Sequence, residues 1–241
     1  MKSALRPPSS QTRRDAASPA PSADIVRRAA AEAVGTAFLL AAVVGSGVMA
    51  ERLVAGNAAL ALLANALATG AALYALILAF APISGAHLNP LVTLAAASAQ
   101  ELQGRDVAPY LAAQLLGGVA GVFVTHLMFA MPMLEVSRHA RSGAGQFLGE
   151  IVASFGLVFV IESGKRNFPA SIPAAVAAYI TAAYWFTAST SFANPAVTLA
   201  RALSDSFAGI APASVPAFLL AQAVGAVVAV AFSRWLFAAP R

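Results

Sequence analysis

Hydrophobic positions in this chain fall in long unbroken runs rather than in short alternations. Apolar segments of membrane-spanning length lie near 29–50, 58–81, 108–130, 147–163, 172–189 and 213–237. A hydrocarbon core about 30 Å thick takes about 20 residues of helix, so these segments predict six spans. Two further apolar stretches, 89–99 and 194–203, each open on Asn-Pro and run for only about ten residues. That is too short to cross. At membrane depth such a stretch must be re-entrant and shielded from lipid by protein. The pattern predicts an all-α membrane protein with six transmembrane helices and two re-entrant half-helices.

Composition agrees. Of 241 residues, 59% are hydrophobic and 10% charged, against about a quarter charged in soluble domains, which excludes a water-soluble globular protein. The absence of cysteine removes disulfides, thiolate metal sites and cysteine nucleophiles. His87, His126 and His139 lie far apart without ligand spacing, so no metal, cofactor or catalytic site is indicated and no enzyme is expected. The net charge of +5 is concentrated at the start, where the first 28 residues hold six of the fifteen Lys and Arg. No basic stripe follows, so nucleic-acid binding is not expected. Residues 1–26 read as a disordered basic cytoplasmic tail, rich in Ser, Pro, Ala and Arg, and 27–241 as the membrane domain. The tail arginines suit contact with anionic lipid and suit topology determination equally well.

The charge distribution predicts orientation. If both termini are cytoplasmic, that side receives eleven Lys and Arg and the other side four, Arg52, Arg138, Arg141 and Arg201, as the positive-inside rule prefers. The chain also repeats itself. Asn89-Pro90-Leu91-Val92-Thr93-Leu94-Ala95 recurs as Asn194-Pro195-Ala196-Val197-Thr198-Leu199-Ala200, with one difference. Glu32 in the first span is echoed by Glu150 in the fourth, and Gln114 with Gly117 by Gln222 with Gly225, at offsets of 118 and 108 beside the 105 of the Asn-Pro heptad. Two repeats, about 27–130 and 145–237, then contain three spans each, and an odd number of spans inverts one half relative to the other.

Asn is a good helix N-cap and Pro fits the first helical position, so each half-helix starts at its Asn. In inverted halves the two starts meet near the bilayer midplane. Their positive dipole ends and carboxamides would repel cations there and offer donors to neutral hydroxylated molecules.

On these residues the sequence resembles the aquaporin and aquaglyceroporin superfamily, the major intrinsic proteins. The resemblance covers residues 27–237 and rests on Ser84-Gly85-Ala86-His87-Leu88-Asn89-Pro90, on Asn194-Pro195-Ala196-Val197-Thr198 and on the repeat. It implies a right-handed bundle forming a pore in each subunit of a homotetramer, and passive permeation of water or small uncharged solutes. Asn89 and Asn194 match the pore asparagines, and Pro90, Leu91, Pro195 and Ala196 the half-helix starts. Leu91 replaces the usual alanine, a change expected to adjust packing. His87 matches a pore-lining histidine, and Glu32 and Glu150 match the glutamates that brace the loops. Intramembrane carboxylates also raise proton coupling, and the matched pair favours bracing.

The family's outer filter, carried over by counting, falls on Thr69, Ala182, Ser191 and Val197. None is charged or aromatic, and Val197 stands where the family has arginine. A wider opening follows, with glycerol, urea-sized solutes and neutral metalloid hydroxides such as arsenous acid as expected permeants, and cation exclusion resting more on the central dipoles. Arg201, one turn beyond Val197, reads first as an interfacial arginine snorkelling to water; the competing reading has it reach back to the outer mouth. Gly117, Gly118, Gly121 and Gly225 read as helix contacts, and Tyr184, Trp185 and Trp235 as interfacial belts or packing. The rival functions are a secondary transporter with inverted repeats, a water-selective aquaporin, and a scaffold with a closed pore. The expected location is a bacterial plasma membrane.

Overall fold

The computed structural model describes residues 24–238, so positions 1–23 of the expected tail lie outside the described residues. Among the described residues there are eight α-helices: α1 (Ile25–Leu53), α2 (Ala58–Ser84), α3 (Pro90–Ser98), α4 (Gly104–Met128), α5 (Ala144–Asn167), α6 (Ile172–Phe186), α7 (Pro195–Arg201) and α8 (Val215–Leu236). The Asp24 side chain accepts the Arg27 N–H at 2.9 Å and starts α1 at Ile25, so residues 25 and 26, expected in the tail, are helical. α1, α2, α4, α5 and α8 are long and apolar enough to cross a membrane, α8 together with the short turn that precedes it. α6 has 15 residues, about 22 Å at 1.5 Å per residue. It stops at Phe186, short of the expected 189, and an irregular segment leads from there to Asn194.

The halves α1–α4 and α5–α8 pack alike. α1 lies against α2 and α4, α5 lies against α6 and α8, and α2 meets α6 between the halves. In lipid, helices gain little from hydrophobic burial and depend on close backbone approach. A Cβ at Gly117 or Gly121 would sit 2.2 Å from the carbonyl oxygen of Ala33 or Ala37, and one at Gly225 would sit 2.4 Å from that of Ile151. The repeated glycine therefore serves the same contact in both halves. Polarity is arranged inside out: Glu32, Glu150, Gln114 and Gln222 are fully buried, while Phe38, Leu67, Leu116 and Val227 are exposed on the outside.

Both ends of the bundle are tied by polar contacts. On the side where α1 begins and α8 ends, called here the tail side, Arg28 pairs with Asp106, and Arg234 donates to the Ser98 carbonyl at 2.6 Å. On the far side His126 bridges Met133 O (3.2 Å) and Ser204 Oγ (3.0 Å), joining the loops after α4 and α7.

Candidate functional site

The half-helices meet start to start. Asn89 Oδ1 accepts the Leu91 N–H at 2.9 Å, and Asn194 Oδ1 accepts those of Ala196 and Val197 at 3.0 and 3.2 Å, with Pro90 and Pro195 at the first helical positions. Each carboxamide also reaches across. Asn89 Nδ2 donates to Ala193 O and Asn194 Nδ2 to Leu88 O, both at 2.8 Å. An amide nitrogen carries two hydrogens, so each Asn keeps one donor, and both residues line a central cavity of about 270 Å³. Leu91 packs with Ala95, Val158 and Ala226 away from that cavity. Ala196 is buried behind its cap.

The two glutamates hold the loops that lead into the half-helices. Glu32 accepts from Ser84 Oγ (2.6 Å), His87 N (2.9 Å), Leu88 N (2.6 Å) and Gln114 Nε2 (2.8 Å). Glu150 accepts from Phe192 N (2.8 Å), Ala193 N (2.9 Å) and Gln222 Nε2 (2.6 Å). A trans peptide sets its C=O opposite its N–H. The carbonyls of Ala86, His87, Ser191 and Phe192 therefore face away from the glutamates, and all four residues line the cavity. Among the described residues none of these carbonyls accepts a backbone hydrogen bond. The turn of the chain that achieves this is strained: Ala86, Leu88, Thr190, Ser191 and Ala193 all adopt φ between +45° and +60°. Such backbone persists only where the surroundings hold it, here through the glutamates and the crossed carboxamides. The resulting path has carbonyl acceptors on either side of two amide donors, facing apolar side chains such as Val43, Ile77, Leu157 and Ile180.

His87 lines the cavity on the tail side. Its Nδ1 lies 3.1 Å from Thr93 Oγ1, whose own proton goes to the Asn89 carbonyl at 3.2 Å. With that proton committed, Nδ1 is the donor, and Nε2 is left as an acceptor. At this mouth Lys165 Nζ contacts Glu101 Oε2 (2.6 Å) and Glu162 Oε1 (2.9 Å), and Lys165 and Glu101 both line the cavity. Counting charges along the chain places Lys165 on one side of the membrane without showing that it reaches the passage, and Glu101 carries no motif that would have singled it out.

On the far side the structure changes the expected filter. Thr69, Ser191 and Val197 line the cavity, but Ala182 is exposed on the outer face of α6. Counting twelve residues back from Asn194 fails because the register of α6 turns Val176, Ile180 and Tyr184 inward instead. Tyr184 is thus neither a belt residue nor mere packing: its hydroxyl lies 3.2 Å from Thr69 Oγ1. The four-residue spacing of Val176, Ile180 and Tyr184 puts them on one face of α6, but does not tell which way that face turns. Trp185 and Trp235 are exposed, at positions suited to a belt. Arg201 does not snorkel. It is 2% exposed, lines the cavity, and lies over the Phe192 ring at 3.4 Å.

A cavity with a line of polar groups along one wall and otherwise apolar, running through a bundle of membrane-length helices, defines a multi-pass membrane channel. The chain belongs to the major intrinsic protein family, whose sequence pattern matches residues 20–176. It is 52% identical over 161 residues, 67% of this chain and 69% of the relative, to the aquaglyceroporin AqpS of Rhizobium meliloti. It is 32% identical over 178 residues, 67% of this chain and 72% of the relative, to the aquaporin AqpM of Methanothermobacter thermautotrophicus. The fold is also that of the aquaglyceroporin from Plasmodium falciparum, with a TM-score of 0.70 over 89% of this chain and 98% of that one, at 24% identity.

Proposed function

We infer that the protein is a passive channel for water and small uncharged solutes, with polyols such as glycerol, urea-sized molecules and neutral metalloid hydroxides as its solute class. The observation that carries this reading is the line of free carbonyls and two Asn donors along one wall of an otherwise apolar passage. A neutral hydroxylated molecule can exchange its hydration for those groups, whereas a cation meets two helix N-termini. Glu32 and Glu150, which a proton-coupled transporter could use, are occupied by backbone and Gln donors and brace the loops. Val197 presents methyls where an arginine would narrow the path, and Thr69 is small, which supports solutes larger than water. The charge distribution supports cytoplasmic termini in a bacterial plasma membrane, and the family resemblance supports a homotetramer.

Stopped-flow light scattering on proteoliposomes tests the reading. Water and glycerol should both equilibrate faster than in empty liposomes without any ion gradient. Val197→Arg should keep water flow while reducing glycerol uptake by about tenfold, the scale of discrimination reached by one side-chain change in a pocket. Glycerol uptake that requires a proton or sodium gradient would replace the channel by a transporter, and permeability equal to empty liposomes would leave a scaffold.

A further inference from the structure

Arg201 ends α7, where the negative end of the helix dipole favours a cation. Its guanidinium lies over Phe192, and Phe192 is itself set edge-on against Phe218 at 5.1 Å. Nε donates to the Ala208 carbonyl. Among the described residues Arg201 forms no salt bridge, and its two Nη groups have no protein hydrogen-bond partner. A guanidinium carries five donors, and a buried one with most of them unused calls for a partner in the space it faces. That space is the cavity, which Ser191 also lines. The Thr69 and Tyr184 hydroxyls complete the same cavity end.

A second arginine sets this geometry from behind. Arg141 donates from Nε to Gly209 O (2.7 Å) and from Nη2 to Phe207 O (3.1 Å), gripping the residues on both sides of Ala208. Arg141 therefore positions the carbonyl that positions Arg201. Val197 and Arg201 are four residues apart on one helix and face the same cavity.

We propose that Arg201 is the far-side selectivity residue of this channel, with its Nη groups forming a donor subsite for an uncharged hydroxylated solute. The inference rests on the channel reading above. A solute oxygen accepts from the guanidinium, and the fixed charge repels cations that Val197 does nothing to stop. Because the guanidinium stands one turn further along α7, the narrow point moves with it, and the path beside Val197 stays wide.

The test uses the full chain in proteoliposomes, reading water and glycerol permeability together with proton leak reported by an entrapped dye. Arg201→Gln should raise proton leak by at least about tenfold, since a unit charge close to the path acts strongly at reduced dielectric, and should lower glycerol relative to water. Arg201→Lys should retain proton exclusion but lose the glycerol preference. Combining Arg201→Gln with Val197→Arg should restore exclusion. A folded, water-permeable Arg201→Gln protein with unchanged leak and unchanged glycerol-to-water ratio overturns the proposal. If that variant does not fold, Arg201→Lys and Phe192→Leu decide: an unchanged glycerol-to-water ratio in both overturns it, and a fall in both supports it. Wild-type protein without permeability overturns the channel reading itself, which separates the two failures.

Discussion

The two ends of the passage lie on opposite sides of one symmetric centre yet carry charge in different ways. On the tail side Lys165 lies between two carboxylates, Glu101 and Glu162. On the far side Arg201 and Arg141 are held by backbone carbonyls, with no carboxylate partner among the described residues. The positions two before each Asn are His87 and Phe192, and those seven beyond each Asn are Ala96 and Arg201. Between the ends the repeats agree almost atom for atom, in the crossed carboxamides, the glutamate braces and the Gln-Thr contacts at 2.9 and 2.8 Å. The centre thus follows from the repeat, whereas each mouth follows from residues at which the two halves differ. A symmetric centre can repel cations from either direction. Only an asymmetric mouth can set a different preference on one side.

The largest effect should come from removing a brace, which also tests whether the symmetry of the centre is complete. Each buried donor left without a partner costs about 1–3 kcal/mol, and Glu32 serves four donors where Glu150 serves three. Glu32→Leu and Glu150→Leu should both collapse the yield of monodisperse protein in size-exclusion chromatography, Glu32→Leu the more severely. The reverse order would show that the halves are not held by the same pattern of bonds.

A smaller effect is expected at the tail-side mouth. Because Lys165 and its two carboxylate partners sit at a wet mouth where water and salt screen them, Lys165→Met should alter proton leak by less than about twofold, as ion pairs in such places are weak. The same dye assay would show this beside Arg201→Gln, and a large leak from Lys165→Met would erase the contrast between the mouths.

The smallest effect belongs to the far-side loops. Backbone and side-chain bonds from Arg138, at 2.8 and 2.6 Å, hold the Asp205 carboxyl below its usual pKa. A depressed carboxylate stabilises the fold above its unfolded pKa, and that contribution is lost as pH falls through the folded value. Thermal scans in detergent should therefore show a slight extra loss of stability on acidification below about pH 4, absent in Asp205→Asn. Identical acid profiles for the two proteins would mean the surface pair does nothing for the loops.

Much of the frame was legible in the chain. Six apolar runs, two short Asn-Pro stretches and a repeated glutamate suffice because lipid forces backbone bonds inside helices and leaves few places for a carboxylate. The N-cap role of Asn89 and Asn194 followed from local chemistry alone. Tyr184 was not legible as a cavity residue, because its direction depends on how α6 rotates against α2 and on the course of 187–194. Ala182 was misplaced for the same reason.

Arg201 marks the boundary most clearly. Its sequence position is compatible with a side chain that reaches water and with one that turns inward, and propensity does not separate them. The choice is made by Phe192, on the loop that leads into α7, and by the Ala208 carbonyl, whose flanking residues Arg141 holds in place. By itself the sequence determined the spans, the inversion and the paired Asn starts, all of which rest on hydropathy and on bonds between near neighbours. Tertiary structure alone decided which side chains face the passage and which charges remain unpaired there, because those depend on helix rotation and on loops that meet only after the halves have packed.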